Sequence, residues 1–429
     1  MIADSVKNAW NVADLRKKIG YTLLMFLIFR IGAHIPTPFI DRDILNQLFG
    51  TGAMMNIMDT ISGGSFKSLS VFALSVTPYI TASIIFSLLT VVIPSLERLS
   101  KEGDYGRKKI TQYTRYATVA LGFIQAFGLT FGIRSALIIP SPELRWPLYL
   151  LCALVLTAGT TFLMWLGEAI TEKGIGNGIS LIIFAGIVSR VPSAIVSLWD
   201  MLRVGEISLF AIIGLLVIVI FVTAGVIYVQ EGQRRVSVQY AKRVVGRRVY
   251  GGQSSHIPLK VNQAGVIPVI FAIALLAFPQ QIATWMPTSG FARFVNTWFS
   301  MNGSLTSIPY LLIYALLIIF FTYFYSSITF NPIDVAENLK KYGGFIPGLR
   351  PGRPTADYLS KILNRITLAG GLFLAIIAVL PTIIIGLTGL TNIYFGGTSL
   401  LIVVGVALET MKQIESQLMA RHYQGFMKK

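Results

Sequence analysis

The chain has 429 residues, a mean hydropathy of +0.68 and only 13% charged residues, where soluble domains carry roughly 25%. This excludes a soluble globular protein and predicts a polytopic membrane protein. The single cysteine, Cys152, lies in an apolar run, so no intrachain disulfide is available and the residue is read as a packing side chain.

Residues 1–18 are polar and precede a long apolar run without a small-residue cleavage site, as in a retained cytoplasmic segment. Apolar runs near twenty residues then mark ten expected spans, at about 19–35, 75–93, 115–137, 148–168, 178–197, 209–229, 264–286, 307–328, 366–389 and 392–411. The fifth is interrupted by Arg190 and Pro192, and only a short turn near Gly389 separates the last two. Ten spans return both termini to one side. Of the 36 Lys and Arg residues, 28 fall on that side, which makes it cytoplasmic by the positive-inside rule. Ten also divides into two fives of opposite orientation, at 19–197 and 198–411, followed by a tail at 412–429. That is the inverted-repeat plan, with a pathway between the halves.

Residues 54–75 are mildly apolar, carry Asp59 and Lys67 and contain Gly63-Gly64. Irregular polar backbone survives at membrane depth only inside protein or an aqueous cavity. The stretch is therefore either an external loop or the occupant of a cavity. Inside the spans, charge is nearly absent, with Arg30, Glu168, Arg190 and Glu409 near span ends. An ion-coupled transporter needs intramembrane titratable groups, and an intramembrane protease needs a nucleophile with a partner; neither set is present in the sequence. A GKS phosphate loop is also missing from it, so a partner has to supply energy. The spans are rich in isoleucine and small residues. These suit ordinary packing or, if they converge, a constriction that closes by dewetting. A solute transporter and a non-conducting docking scaffold are the competing classes.

Two basic loops stand out. Residues 230–262 alternate apolar and polar side chains and carry three basic pairs, which predicts a projecting β-hairpin. The pairs suit RNA phosphates or an acidic protein face, or anionic lipids. Residues 329–365 contain GGFIPGLRPGRPT, where Gly and Pro fix turns around Arg350.

Eight segments in order resemble the SecY family over essentially the whole chain. They are FRIGAHIPTP (29–38), ISGGSFKSLSVFALSVTPYITASII (61–85), EGDYGRKKITQYTRYAT (102–118), MWLGEAITEKGIGNGISLIIFAGIV (164–188), GQRRVSVQYAKR (232–243), KVNQAGVIPVIFA (260–272), GGFIPGLRPG (343–352) and YFGGTSLLIVVGV (394–406). The resemblance implies an all-α fold of ten transmembrane helices in two halves around an hourglass pore with a lateral gate. Its function would be passage of unfolded polypeptides and sideways release of apolar segments. It implies a pore ring of Val76, Ile80, Ile179, Ile183, Ile270 and Ile402, with Val76 one carbon smaller than the isoleucine expected there. It implies a short helical plug at about 59–71, with Ile61, Gly63, Gly64, Phe66 and Leu69. Lateral-gate candidates are Thr81, Ser87, Gln125 and Phe278. Arg234, Arg235, Arg247, Arg248 and Arg350 would dock the ribosome or the SecA ATPase. SecE and SecG are the implied membrane partners, signal sequences and nascent polypeptides the cargo, and a bacterial plasma membrane the location. No catalytic residue, metal or cofactor is implied, and Arg190 belongs to none of the family motifs.

Overall fold

The computed structural model describes residues 12–427 apart from 42, 46–58, 60–61, 139–141, 206, 241–242, 246–247, 251–253, 287–288, 300–307 and 389–396. Ile61 and Arg247 lie outside the described residues. A helix covers each of the ten expected spans. In chain order these are α1 (Ala13–His34), α2 (Thr77–Val92), the short α3 (Pro94–Lys101), α4 (Asp104–Gly132), α5 (Arg145–Lys173), α6 (Gly178–Val188) and α7 (Val191–Val204). The series continues with α8 (Leu209–Glu231), α9 (Ile267–Trp285), α10 (Gly290–Trp298), α11 (Ile308–Thr329), α12 (Pro332–Lys341), α13 (Arg353–Thr388) and α14 (Gly397–Met427). Among the described residues, five helical segments are long and apolar enough to cross a bilayer unaided, or six if α2 and α3 form one span.

Local chemistry explains the departures from the expected spans. Pro94, the first residue of α3, marks a bend of 100° between α2 and α3, because proline cannot continue the preceding hydrogen-bond ladder. The fifth span is two helices. It breaks at Ser189–Arg190, where Pro192 starts α7 as a first-turn residue. It then runs past the expected end at 197 to Val204, with Gly205 in the left-handed region. The helices α4 and α13 begin 11 and 13 residues before the apolar runs they contain, at 104 and 353. Their first turns are polar. The tail is not a separate segment: α14 continues through it to Met427, and Lys412 pairs with Glu231 of α8 at 2.8 Å.

Helix packing follows burial. The helix α5 is the most enclosed of the candidate spans, whereas α8 is apolar all round and mostly exposed, as a lipid-facing helix should be. In the first group, α1 and α4 flank α5, α2 packs on α4, and α6 folds back on α5. In the second, α9 packs on α11, α11 on α13, and α14 on both α13 and α8. The groups meet where α9 touches α2 and α4, and again where α14 touches α6.

The 230–262 region contains the expected hairpin. Strand β1 (Gln233–Tyr240) pairs antiparallel with β4 (Ser254–Lys260), and β2 (Arg243–Val245) with β3 (Arg248–Tyr250) lies between them in the chain. The second basic loop adds β5 (Gly344–Phe345) to the other edge of β1. Sequence reading treats these loops as separate, but they form one sheet over a small core of Val236, Val238, Leu259, Leu339, Ile346 and Leu359. Val238 is 1% exposed. Val238→Asp is expected to destabilise this unit by about 3 kcal/mol or more, read as faster tryptic cleavage within 230–262 with the membrane core still protected.

Candidate functional site

Four helices from both groups bring the six ring positions together. Val76, Ile80, Ile183 and Ile402 are at most 7% exposed and share one hydrophobic cluster. Ile179 and Ile270 are partly buried against it. The GIGNG motif sets the α6 pair. Gly176 takes a φ of 85° that β-carbon-bearing residues avoid. The Asn177 side chain then accepts from the backbone N–H of Ile179 and Ser180, a standard N-cap. Thr171 Oγ1 of α5 accepts from Gly178 N at 2.9 Å. Ile179 and Ile183 follow one turn apart, and the Ile179 tip fills the space beside Gly167 that a β-carbon would need. Ile80 lies one turn after Val76, the N-cap of α2, whose first turn carries Pro78. The side chains involved offer no hydrogen-bonding group, so their packing excludes water without binding anything tightly.

Next to this cluster lies the segment before α2. Asp59, the first residue of the expected plug helix, is itself helical. Residues 62–76 run as successive turns, with Gly63, Gly64, Leu69 and Ser75 all at positive φ. Gly63 is required on a second count: its β-carbon would come 2.9 Å from Gly186 Cα, so two backbones touch there. Asp59 organises the turns. Its carbonyl accepts from Gly64 N and Ser62 Oγ, and its Oδ1 accepts from Lys67 N at 2.8 Å. Its other carboxylate oxygen pairs with Arg190. Arg30 of α1 donates to Gly63 O at 3.0 Å and to Ser189 Oγ at 2.9 Å. Phe66 and Leu69 pack with Ala126, Leu129 and Leu156 of α4 and α5. Residues 35–37 bind the segment's far end through Thr37 N to Leu69 O and Val71 N to Ile35 O. The partner of Arg190 is invisible in the sequence, because 131 residues separate it from Asp59.

The gate candidates lie on three helices that contact one another, Thr81 and Ser87 on α2, Gln125 on α4 and Phe278 on α9. The Thr81 hydroxyl returns to Thr77 O on its own helix, and the Ser87 carbonyl accepts from Thr90. Gln125 is buried, and its Oε1 has no partner among the described residues. Phe278 is 38% exposed. Sequence reasoning missed the tightest contact on this seam. The indole of Trp285 lies in the space above Gly128, 2.0 Å from where a β-carbon would stand. Gly128 follows Gln125 by three residues, so both sit on one face of α4.

At the strand-bearing end, the arginines divide. On β1, Arg234 shares a face with buried Val236 and Val238, whereas Arg235 takes the opposite face. Arg234 lines a groove of about 300 Å³ with Tyr358, Lys361, Ile362, Arg365 and Ile366. Arg248 starts β3. Arg350 is exposed between Gly348 and Gly352, both at positive φ, and its carbonyl accepts from Thr355 Oγ1. The turns expected from the Gly–Pro pattern flank Arg350.

An aliphatic cluster built by two helix groups, with a turn-rich segment folded next to it, defines an all-α polytopic membrane protein of the channel class. The family model for SecY matches residues 70–411, and the chain belongs to the SecY family. It is 48% identical over 433 residues to the protein translocase subunit SecY of Halalkalibacterium halodurans, covering 99% of each chain. It is 47% identical over 434 residues to that of Bacillus subtilis, again covering 99% of each. Solved structures give the fold. "The structure of a protein conducting channel" matches with a TM-score of 0.65 at 19% identity, over 94% of this chain and 92% of that one. Sec61 in a canine ribosome–channel complex from the endoplasmic reticulum matches with a TM-score of 0.64 at 19% identity, over the same shares. The protein is a protein-translocation channel subunit and not an enzyme.

Gly128→Val is expected to lower the thermal midpoint of the purified protein by wedging Trp285 out of the seam. Trp285→Ala added to it should recover most of that loss, a coupling of about 1–3 kcal/mol.

Proposed function

We propose that the cluster of Val76, Ile80, Ile179, Ile183, Ile270 and Ile402 is the waist of an hourglass pore between two inverted halves, 19–197 and 198–411. The observation that carries this reading is the convergence of these six positions, drawn from α2, α6, α9 and α14, in one cluster. A waist for polypeptides must pass many side chains and hold back ions. Aliphatic groups meet both needs, since they close on one another by excluding water and grip no sequence in particular.

Residues 59–71, including Gly63, Gly64, Phe66 and Leu69, act as the plug. The seam lined by Thr81, Ser87, Gln125 and Phe278 acts as the lateral gate, through which an apolar segment partitions into lipid at about 0.8 kcal/mol per buried methylene. The basic sheet and the Arg350 tip face the cytoplasm with both termini, in a bacterial plasma membrane. Arg235, Arg247, Arg248 and Arg350 receive the ribosome, through its RNA and protein, or the SecA ATPase, and anionic lipids border this face. Arg234 supports the same face from the groove on α13. Either partner supplies the energy. SecE and SecG complete the assembly in the membrane, and signal sequences and nascent chains are the cargo.

Two tests follow in reconstituted vesicles and planar bilayers. Ile80→Gly, Ile183→Gly and Ile270→Gly together are expected to raise resting conductance at least about tenfold; conductance equal to wild type removes these residues from the waist. Arg350→Glu is expected to abolish driven export while the protein still folds and inserts, because its charge reverses at a rigid docking tip. Normal export by that variant removes Arg350 from the docking surface.

A further inference from the structure

The plug reading leaves open what holds the segment in place, and the polar contacts of Asp59 answer it. The Asp59 side chain is 2% exposed. A carboxylate that deep requires partners for both oxygens. One oxygen accepts from Lys67 N within the segment, and the other pairs with Arg190 at the break between α6 and α7. Beside it, Arg30 holds the Gly63 carbonyl and Ser189, whose hydroxyl in turn donates to Gly186 O at 2.7 Å. Two guanidiniums therefore hold this segment, Arg190 at the Asp59 carboxylate and Arg30 at the Gly63 carbonyl.

We propose that Arg190 and Arg30 are plug-positioning residues, forming with Asp59 a latch that must open before the segment leaves the pore. The latch explains the broken fifth span. A continuous helix would lack the Ser189–Arg190 turn, which aims one guanidinium at Asp59 and supplies an acceptor for the other. It also assigns the segment to one side. Both arginines, and the apolar contacts of Phe66 and Leu69, belong to the first helix group, whereas the waist is made by both groups. Parting the groups along the α2–α9 seam leaves the latch closed, so gate opening and plug release are separate steps. The population of unplugged channels is then set by how well the carboxylate is paired, and weakening the pair lowers the threshold for weak signal sequences. This inference rests on the plug reading above.

The test is resting conductance of the assembled, reconstituted translocase, measured alongside export of a preprotein with a weakened signal sequence. The variants are Asp59→Asn, Arg190→Gln, the double variant, Arg190→Lys, and deletion of residues 62–68. The expected result is a rise in conductance of about tenfold or more for each single neutralisation, with the double no leakier than the worse single. Export of the weak-signal preprotein should rise in parallel, and Arg190→Lys, which keeps the charge, should restore near-wild-type conductance. If the deletion leaks but Asp59→Asn and Arg190→Gln do not, the latch is overturned and the plug stands. Additive single effects overturn the pairing. A deletion that leaves conductance unchanged overturns the plug reading itself.

Discussion

The rest of this structure depends on one constraint: backbone that is neither helix nor closed sheet cannot face lipid. Residues 62–76 break the helical pattern between α1 and α2, and the protein resolves the conflict by enclosing them. Ser62, Ser65, Ser70 and Ser75 are all buried, as is Asp59. Small residues make the enclosure tight. Gly32 lies under the ring of Phe72, Gly159 of α5 lies against the Val71 carbonyl, and Gly63 touches Gly186. The first helix group is thus shaped around this segment, and α2 emerges from it directly into the aliphatic cluster.

The aliphatic cluster and the segment beside it draw on different physics. The cluster relies on aliphatic contact with no directional bond. The segment beside it relies on directional, charge-assisted contacts, which fix one position. The α2–α9 seam lies between these regimes. It is mostly apolar, with a tight Gly128–Trp285 contact and buried polar atoms at Gln125 and Trp285 Nε1 that have no partner among the described residues.

Much of this was legible in the sequence. Hydropathy located the apolar runs where helices form, because the apolar requirement of a bilayer acts on each run separately. Alternation found the β1–β4 hairpin, and the Gly–Pro pattern found the Arg350 turns, since both signals are local. Pro192 signalled the interruption of the fifth span. What was hidden is long-range. Nothing near Arg190 announces Asp59, and nothing near Gly344 announces β1. Nor does the composition of residues 59–71 distinguish a short helix from a chain of turns. From Ser62 onward the chain takes turns, with buried side-chain and backbone partners in place of helical hydrogen bonds. The ring positions came from family resemblance, and the helix packing supplies the reason they converge.

The account's central claim is that polypeptide passes through the aliphatic cluster between the two groups. The most direct measurement is photocrosslinking from probes at Ile80 and Ile270 to a preprotein stalled during translocation. Both positions should crosslink to the stalled chain, while a probe at lipid-facing Phe221 should not. A stalled chain that crosslinks to neither Ile80 nor Ile270 would contradict the account.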